Sequence, residues 1–204
     1  MPDATVLPFN QKIRLRALRL MALGLIPSAF VIHPILSETG AGEVLEMTGI
    51  GLVIAGVLGR FWSILYIGGH KDALVMDQGP YSVCRHPLYF FSSIAVLGFG
   101  IMLQSLVFAV LLTGLIFAVL SATAAREEAF LRSEFGDAYD AYARRTPRII
   151  PDPPLFKTTD TIRVNVHSLR TNFFDALVLV AFIPVAESIE ELREVFDIAG
   201  IWFY

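Results

Sequence analysis

Two apolar runs, 88–103 and 106–124, are joined only by Gln104-Ser105. No other feature restricts the fold as much. A helix rises ~1.5 Å per residue, so runs of this length approach the thickness of a membrane core. A two-residue joint forces them into an antiparallel helical hairpin. The open ends of that hairpin lie side by side. Arg85-His86 before the first run and Arg126-Glu127-Glu128 after the second are therefore expected to meet at one membrane face.

The rest of the chain extends this pattern. Of 204 residues, 55% are hydrophobic, against ~45–50% in a soluble domain, and the excess is gathered in long runs. The expected fold is all-α, a polytopic membrane helical bundle forming one domain over 1–204. Four spans are expected at about 17–36, 47–67, 88–103 and 106–124. Pro27 and Pro34 should bend or end the first. A cytosolic helix is expected over 126–145, with Gly136 interrupting it. A re-entrant or interfacial helix is expected within 173–199, broken near Pro184. The basic start at Lys12, Arg14, Arg16 and Arg19 reads as the flank of a retained helix rather than a cleaved signal. Arg60 falls inside the second span, either facing the protein interior or snorkelling to an interface.

Lys and Arg are absent from 20–59 and from 86–125. The positive-inside rule then places the N-terminus, the 68–86 loop and 126–172 in the cytoplasm. Net charge is −3, which gives no reason to expect nucleic acid as a partner. The single cysteine, Cys84, excludes an intramolecular disulfide. It reads as filling a small apolar position, with a reactive thiol beside Arg85 as the other reading. Glu187, Glu190, Glu191 and Glu194 share one helical face, more often solvated than cation-binding, and no metal is expected.

The chemistry is concentrated between Gly79 and Tyr89. Gly79-Pro80 reads as a turn. Pro87 suits the first helical position and pushes His86 into an extended, capping conformation. Arg85 and His86 are then held at a helix N-terminus with free N–H groups, a place for a carboxylate or phosphate. The plainer reading is a juxtamembrane pair that anchors a span. Tyr81 and Tyr89 add two phenols. Gly98-Phe99-Gly100 lies farther along the same helix, where glycine permits close approach of a ligand or of a packed helix.

Gly79-Pro80-Tyr81, Arg85-His86-Pro87-Leu88-Tyr89, Gly98-Phe99-Gly100, Glu127-Glu128, and Phe135-Gly136 followed by Tyr139 and Tyr142 occur in that order, before a basic, proline-containing exit over 144–151. The arrangement resembles the isoprenylcysteine carboxyl methyltransferase and phospholipid methyltransferase superfamily, integral membrane enzymes that use S-adenosylmethionine. The resemblance spans roughly 58–151. It implies methyl transfer to a lipophilic acceptor: an isoprenylcysteine-like carboxylate, a thiol or a lipid amine. It implies cofactor contacts at Leu74, Val75, Tyr81, Arg85, His86, Pro87, Leu88, Tyr89, Gly98, Gly100, Glu127 and Glu128, with Arg85, Glu127 and Glu128 catalytic. Two departures stand out. The stretch between Leu74-Val75 and Gly79-Pro80 has one residue more than the usual pattern. Thr123 stands where the isoprenylcysteine branch has an arginine. The alternatives are a membrane reductase of the sterol-reductase type using NADPH, and a non-catalytic membrane interaction protein.

Overall fold

The computed structural model describes residues 32–34, 40–67, 75–162, 164–167, 169–170, 173, 180–181, 183–184, 188, 192 and 201–203. Its helices are α1 (Gly40–Ile67), α2 (Pro80–Val83), α3 (Pro87–Met102), α4 (Leu106–Phe135) and α5 (Asp137–Arg145), followed by a 3-10 turn at Pro153–Leu155. Strands β1 (Ile32–Pro34) and β2 (Ile201–Phe203) pair in parallel, with Ile32 opposite Ile201.

The hairpin forms as its joint requires. α3 ends at Met102 and α4 starts at Leu106. Gln104 takes a left-handed φ of 57° to turn the chain. The Ser105 hydroxyl caps α4 by accepting from the Phe108 N–H at 3.3 Å. Phe108, Leu112, Ile116, Leu120 and Ala124 recur every fourth residue along α4 and bury one stripe against Tyr89 and Ile149. The opposite face, including Val110 and Leu111, is exposed and apolar, as a lipid-facing surface is.

α1 packs on α3 through glycine. A methyl group on Gly56 would lie 2.7 Å from the Phe91 carbonyl oxygen, and one on Gly98 would lie 2.6 Å from the Gly49 carbonyl oxygen. The two backbones touch, the arrangement by which helices associate where no hydrophobic drive separates protein from lipid. Gly100 makes the corresponding approach to Ala109 across the hairpin. Both glycines of Gly98-Phe99-Gly100 thus stand where a side chain would strike a neighbouring helix.

Several expected boundaries move. α1 begins at Gly40 rather than 47, because Glu43 in its first turn complements the helix dipole and no residue there breaks the helix. α4 does not stop at 124. It runs unbroken to Phe135, since 115–135 contains neither glycine nor proline. The expected cytosolic helix is therefore split between the end of α4 and α5. Gly136, at φ 51°, makes the break. The first expected span is extended, not helical, at Ile32–Pro34, where Pro34 lacks an N–H and restricts His33. Its remaining residues lie outside the described ones. Arg60 faces inward, donating to the Ser92 hydroxyl of α3.

Among the described residues, α1 and α4 are long and apolar enough to cross a membrane. α3, at 16 residues, reaches about 24 Å, short of a ~30 Å hydrocarbon core. Within the C-terminal segment, residues 173, 180–181, 183–184, 188 and 192 are helical. Its four glutamates lie outside the described residues.

Candidate functional site

The turn before α3 is built by backbone constraints. Gly79 adopts φ 57°, open to glycine at no steric cost. The Ser82 hydroxyl donates to the Gly79 carbonyl at 2.6 Å. Cys84 is extended at φ −156° and ψ 154°. A segment from far along the chain, residues 147–157, then lies back over this turn as a strap. The Arg85 N–H donates to the Pro147 carbonyl at 2.8 Å and the His86 N–H to the Arg148 carbonyl at 3.0 Å. Asp152 N–H donates to the Val83 carbonyl at 2.9 Å, and Gly79 N–H to the Lys157 carbonyl at 2.8 Å. Asp77 clasps the ends, its carboxylate accepting from Arg145 and Lys157, both at 2.6 Å. The Tyr142 hydroxyl donates to the Tyr81 carbonyl at 2.7 Å, fixing α5 against α2.

The strap and the hairpin bring the charged residues together. Glu128 is 6% exposed at its side chain and lies at the centre. Its Oε1 faces Arg85 at 3.2 Å, His86 Nε2 at 3.2 Å and Arg148 Nε at 3.1 Å. Its Oε2 faces Arg132 at 4.0 Å. Burial alone would raise the Glu128 pKa. The His86 hydrogen bond and the charges of Arg85 and Arg148 outweigh it, and the carboxyl is held below its usual range. This charged end of α4 stands beyond the apolar stretch that ends at Ala125.

Glu127 differs from its neighbour. It is 33% exposed and accepts from the Tyr89 hydroxyl at 2.7 Å, with His86 Nδ1 at 3.7 Å from its other oxygen. The His86 and Tyr89 rings stack 5.3 Å apart and within 3° of parallel. Successive helical residues are ~100° apart. Glu128 therefore points into the cation cluster while the Glu127 side chain stays one-third exposed.

The buried Tyr81 hydroxyl has no hydrogen-bond partner among the described residues, whereas the Tyr139 hydroxyl lies against the Arg85 guanidinium. Burial raises the pKa of both phenols, that of Tyr81 well above its ordinary value. Both remain neutral donors. An orphaned buried group such as the Tyr81 hydroxyl is uncommon in folded proteins and points to a ligand or ordered water.

Arg85, His86, Tyr89, Glu127 and Glu128 are thus assembled as the hairpin required, with Tyr81 beside them. Pro87 is buried at the first position of α3. Leu88 packs on the hairpin core. Val75 is half-buried ahead of the turn, and Leu74 lies outside the described residues. The helix N-terminus is less open than expected. Pro87 has no N–H, and the N–H groups of Tyr89 and Phe90 both reach the His86 carbonyl. Cys84 is fully buried, and burial pushes its thiol up to about 12, so it is the small apolar filler and not a reactive thiol. Thr123 is buried and satisfied by the Val119 carbonyl. Sequence reasoning missed Arg148 as a partner of Glu128. Its only signal was its place in the basic exit of the motif.

On the other side of the Cys84–Pro87 backbone lies an apolar cavity of about 480 Å³, reached by Trp62 of α1, Phe90 and Phe91 of α3, and Phe156 of the strap.

The phospholipid methyltransferase family matches residues 44–138. The cobalt-zinc-cadmium resistance protein CzcN of Cupriavidus metallidurans is 35% identical over 146 residues, 72% of this chain and 66% of that protein. The nickel-cobalt-cadmium resistance protein NccN of Alcaligenes xylosoxydans xylosoxydans is 31% identical over 161 residues, 79% of this chain and 75% of that protein. The protein-S-isoprenylcysteine O-methyltransferase of Schizosaccharomyces pombe is 35% identical over 82 residues, 40% of this chain and 35% of that protein. No solved structure matches. With two membrane-length apolar helices, the assembled Arg-His-Pro and Glu-Glu cluster, and these relatives, the chain belongs to the isoprenylcysteine and phospholipid methyltransferase superfamily of membrane proteins.

Proposed function

We propose that the chain is an integral membrane methyltransferase that uses S-adenosylmethionine and acts on a lipophilic acceptor, an isoprenylcysteine-like carboxylate, a thiol or a lipid amine. The observation that carries this reading is the convergence of Arg85, His86 and Tyr89 with Glu127 and Glu128, beside the buried, unpartnered Tyr81 hydroxyl. The donor set fits the cofactor. A carboxylate suits the Arg85 guanidinium and the neutral phenol of Tyr81. An ammonium or ribose hydroxyl suits the partly exposed carboxylate of Glu127.

When bound, the cofactor supplies a methyl group on a cationic sulfur, already activated for transfer. The protein's part is then positioning and electrostatics. Glu128 fixes the Arg85 and His86 side chains and leaves Glu127 to meet the ligand. Tyr89 holds one Glu127 oxygen and braces the His86 ring. A carboxylate or thiolate acceptor brings its own electron pair, so no side chain has to remove a proton. Equilibrium dialysis of the purified protein against methyl-labelled S-adenosylmethionine and against NADPH tests the reading. Saturable binding of the first alone is expected. Binding of NADPH alone would make the chain a reductase, and binding of neither would leave a non-catalytic protein.

The site is assigned to the cytoplasmic face, because Lys and Arg concentrate in 60–85 and beyond Ala125. Cys84 is too buried to report on this. Ala141 on α5 is exposed, so Ala141→Cys supplies a reporter. A membrane-impermeant thiol reagent should label it only after the membrane is opened, with the unaltered chain unlabelled throughout. Labelling in sealed cells would invert the topology.

A further inference from the structure

One face of α1 changes its neighbour along its length. Ile54, Leu58, Trp62 and Tyr66 lie four residues apart, one above the next. Ile54 and Leu58 are 45% and 62% exposed on a helix long enough to cross a membrane, as lipid-facing residues are. Farther along, the Trp62 ring stands 6.0 Å from the Phe156 ring, and the Tyr66 and Thr158 hydroxyls lie 2.8 Å apart. The strap therefore crosses this same face, about one to two turns, or ~6–12 Å, beyond Leu58. α1 ends at Ile67. That level is the depth of the headgroups, where Trp and Tyr mark the boundary of a span.

The strap is built for that depth. Ile150, Leu155 and Phe156 are 70%, 36% and 50% exposed, and Pro153 and Pro154 are exposed between them. The backbone is a second, independent observation. Pro151, Pro153 and Pro154 have no N–H. The Asp152 N–H donates to the Val83 carbonyl at 2.9 Å, Leu155 to Asp152 at 3.1 Å and Phe156 to Pro153 at 3.0 Å. The Lys157 N–H donates to the Ser82 hydroxyl at 3.0 Å. From 151 to 157 each backbone donor is thus missing or satisfied within the protein. In water such donors can face solvent. At a lipid boundary they cannot, because no water is there to accept from them. The charges set the limit of entry. Asp152 is the one acid in 150–157, and a carboxylate in the run keeps it among headgroups and out of the acyl core. Lys157, at its end, is held by Asp77 at 2.6 Å. We propose that residues 150–156 are a membrane-seated loop, with Ile150, Leu155 and Phe156 entering the headgroup boundary of the leaflet beside the end of α1. The partner of this surface is the protein's own bilayer, continuous with the lipid that meets Ile54 and Leu58. The same segment brings Arg148 to Glu128, so the bilayer seats the polar cluster. The loop requires a chain that spans a membrane and does not require methyl transfer.

Cys84, the single cysteine, is fully buried, so an added cysteine can be labelled alone. Ile150→Cys and Leu155→Cys each probe the loop at an exposed position. Ala141→Cys, exposed on α5, is the comparison. Each full-length variant carries an environment-sensitive fluorophore in phosphatidylcholine nanodiscs, with and without a phospholipid bearing a nitroxide near its headgroup. The labels at 150 and 155 should be quenched by the nitroxide lipid and be several-fold less accessible to aqueous iodide than the label at 141. The unlabelled thiols give the same comparison free of the dye: a charged maleimide should react several-fold more slowly at 150 and 155 than at 141. Iodide quenching and thiol reactivity at 150 and 155 equal to those at 141, without nitroxide quenching, would place the loop in water and overturn the proposal. Protection from iodide without nitroxide quenching would show another protein surface over the loop, such as a second copy of the chain, and would overturn it too.

Discussion

Glu128→Ala is expected to destabilise the protein by about 3–5 kcal/mol, the range for removing one partner of a buried ion pair. The carboxylate faces Arg85, His86 and Arg148 within 3.2 Å at 6% exposure. Its loss strands the Arg85 guanidinium, 13% exposed, without a counter-charge. Chemical unfolding in a fixed detergent measures the loss. Glu128→Gln retains shape and an acceptor oxygen and should lose less than the alanine variant. Equal stability of wild type and Glu128→Ala would show that the cluster contributes nothing to the fold. The same carboxyl sets a pH dependence. Its folded pKa is depressed, so its contribution is complete above the unfolded carboxylate value and disappears as pH falls through the lower folded value. Wild type should therefore lose stability on acidification over that window, and Glu128→Gln should lose less.

The neighbouring glutamate should behave in the opposite way. Glu127 is one-third exposed and holds the Tyr89 hydroxyl. Glu127→Gln keeps an acceptor for Tyr89 and should change stability by no more than about 0.5 kcal/mol. It should weaken S-adenosylmethionine binding by roughly 1.5–3 kcal/mol, the loss of one charge-assisted hydrogen bond, or about 10- to 150-fold. Calorimetric titration of the folded variant gives the number. Unchanged affinity in Glu127→Gln would move the ligand's cationic group elsewhere in the cluster.

The contrast between these adjacent residues shows what the sequence carried. The joint Gln104-Ser105 was legible, because a two-residue link between apolar runs admits one geometry. From it followed the meeting of Arg85-His86 with Glu127-Glu128. The break at Gly136 was legible too, since glycine after a helical run marks its end. The division of labour between the glutamates was not. It depends on Arg148, which reaches Glu128 only because the strap pairs its backbone with residues 79–86, and pairing across some sixty residues leaves no local pattern. Arg60 showed the same limit: either reading suited its position, and the Ser92 hydroxyl on another helix decided between them. Gly98 and Gly100 suited ligand and helix alike, and their close approach to Gly49 and Ala109 leaves no local pattern. The cavity draws on α1, α3 and the strap, so no single stretch announces it.

The strap also sets an order of assembly. The N–H groups of Arg85 and His86 find their carbonyls at Pro147 and Arg148, residues translated after the whole hairpin. At ~5–20 residues per second, chains emerge over seconds while helices form within about a microsecond. The nascent chain thus has time to place α3 against α4 before its closing segment exists. Until then Glu128 lacks Arg148, and the backbone beneath Arg85 is open to water. A growing chain would carry a formed scaffold and an unfinished site, completed only by the 147–157 strap. A ribosome stalled between the two would display the helices with the binding chemistry still apart.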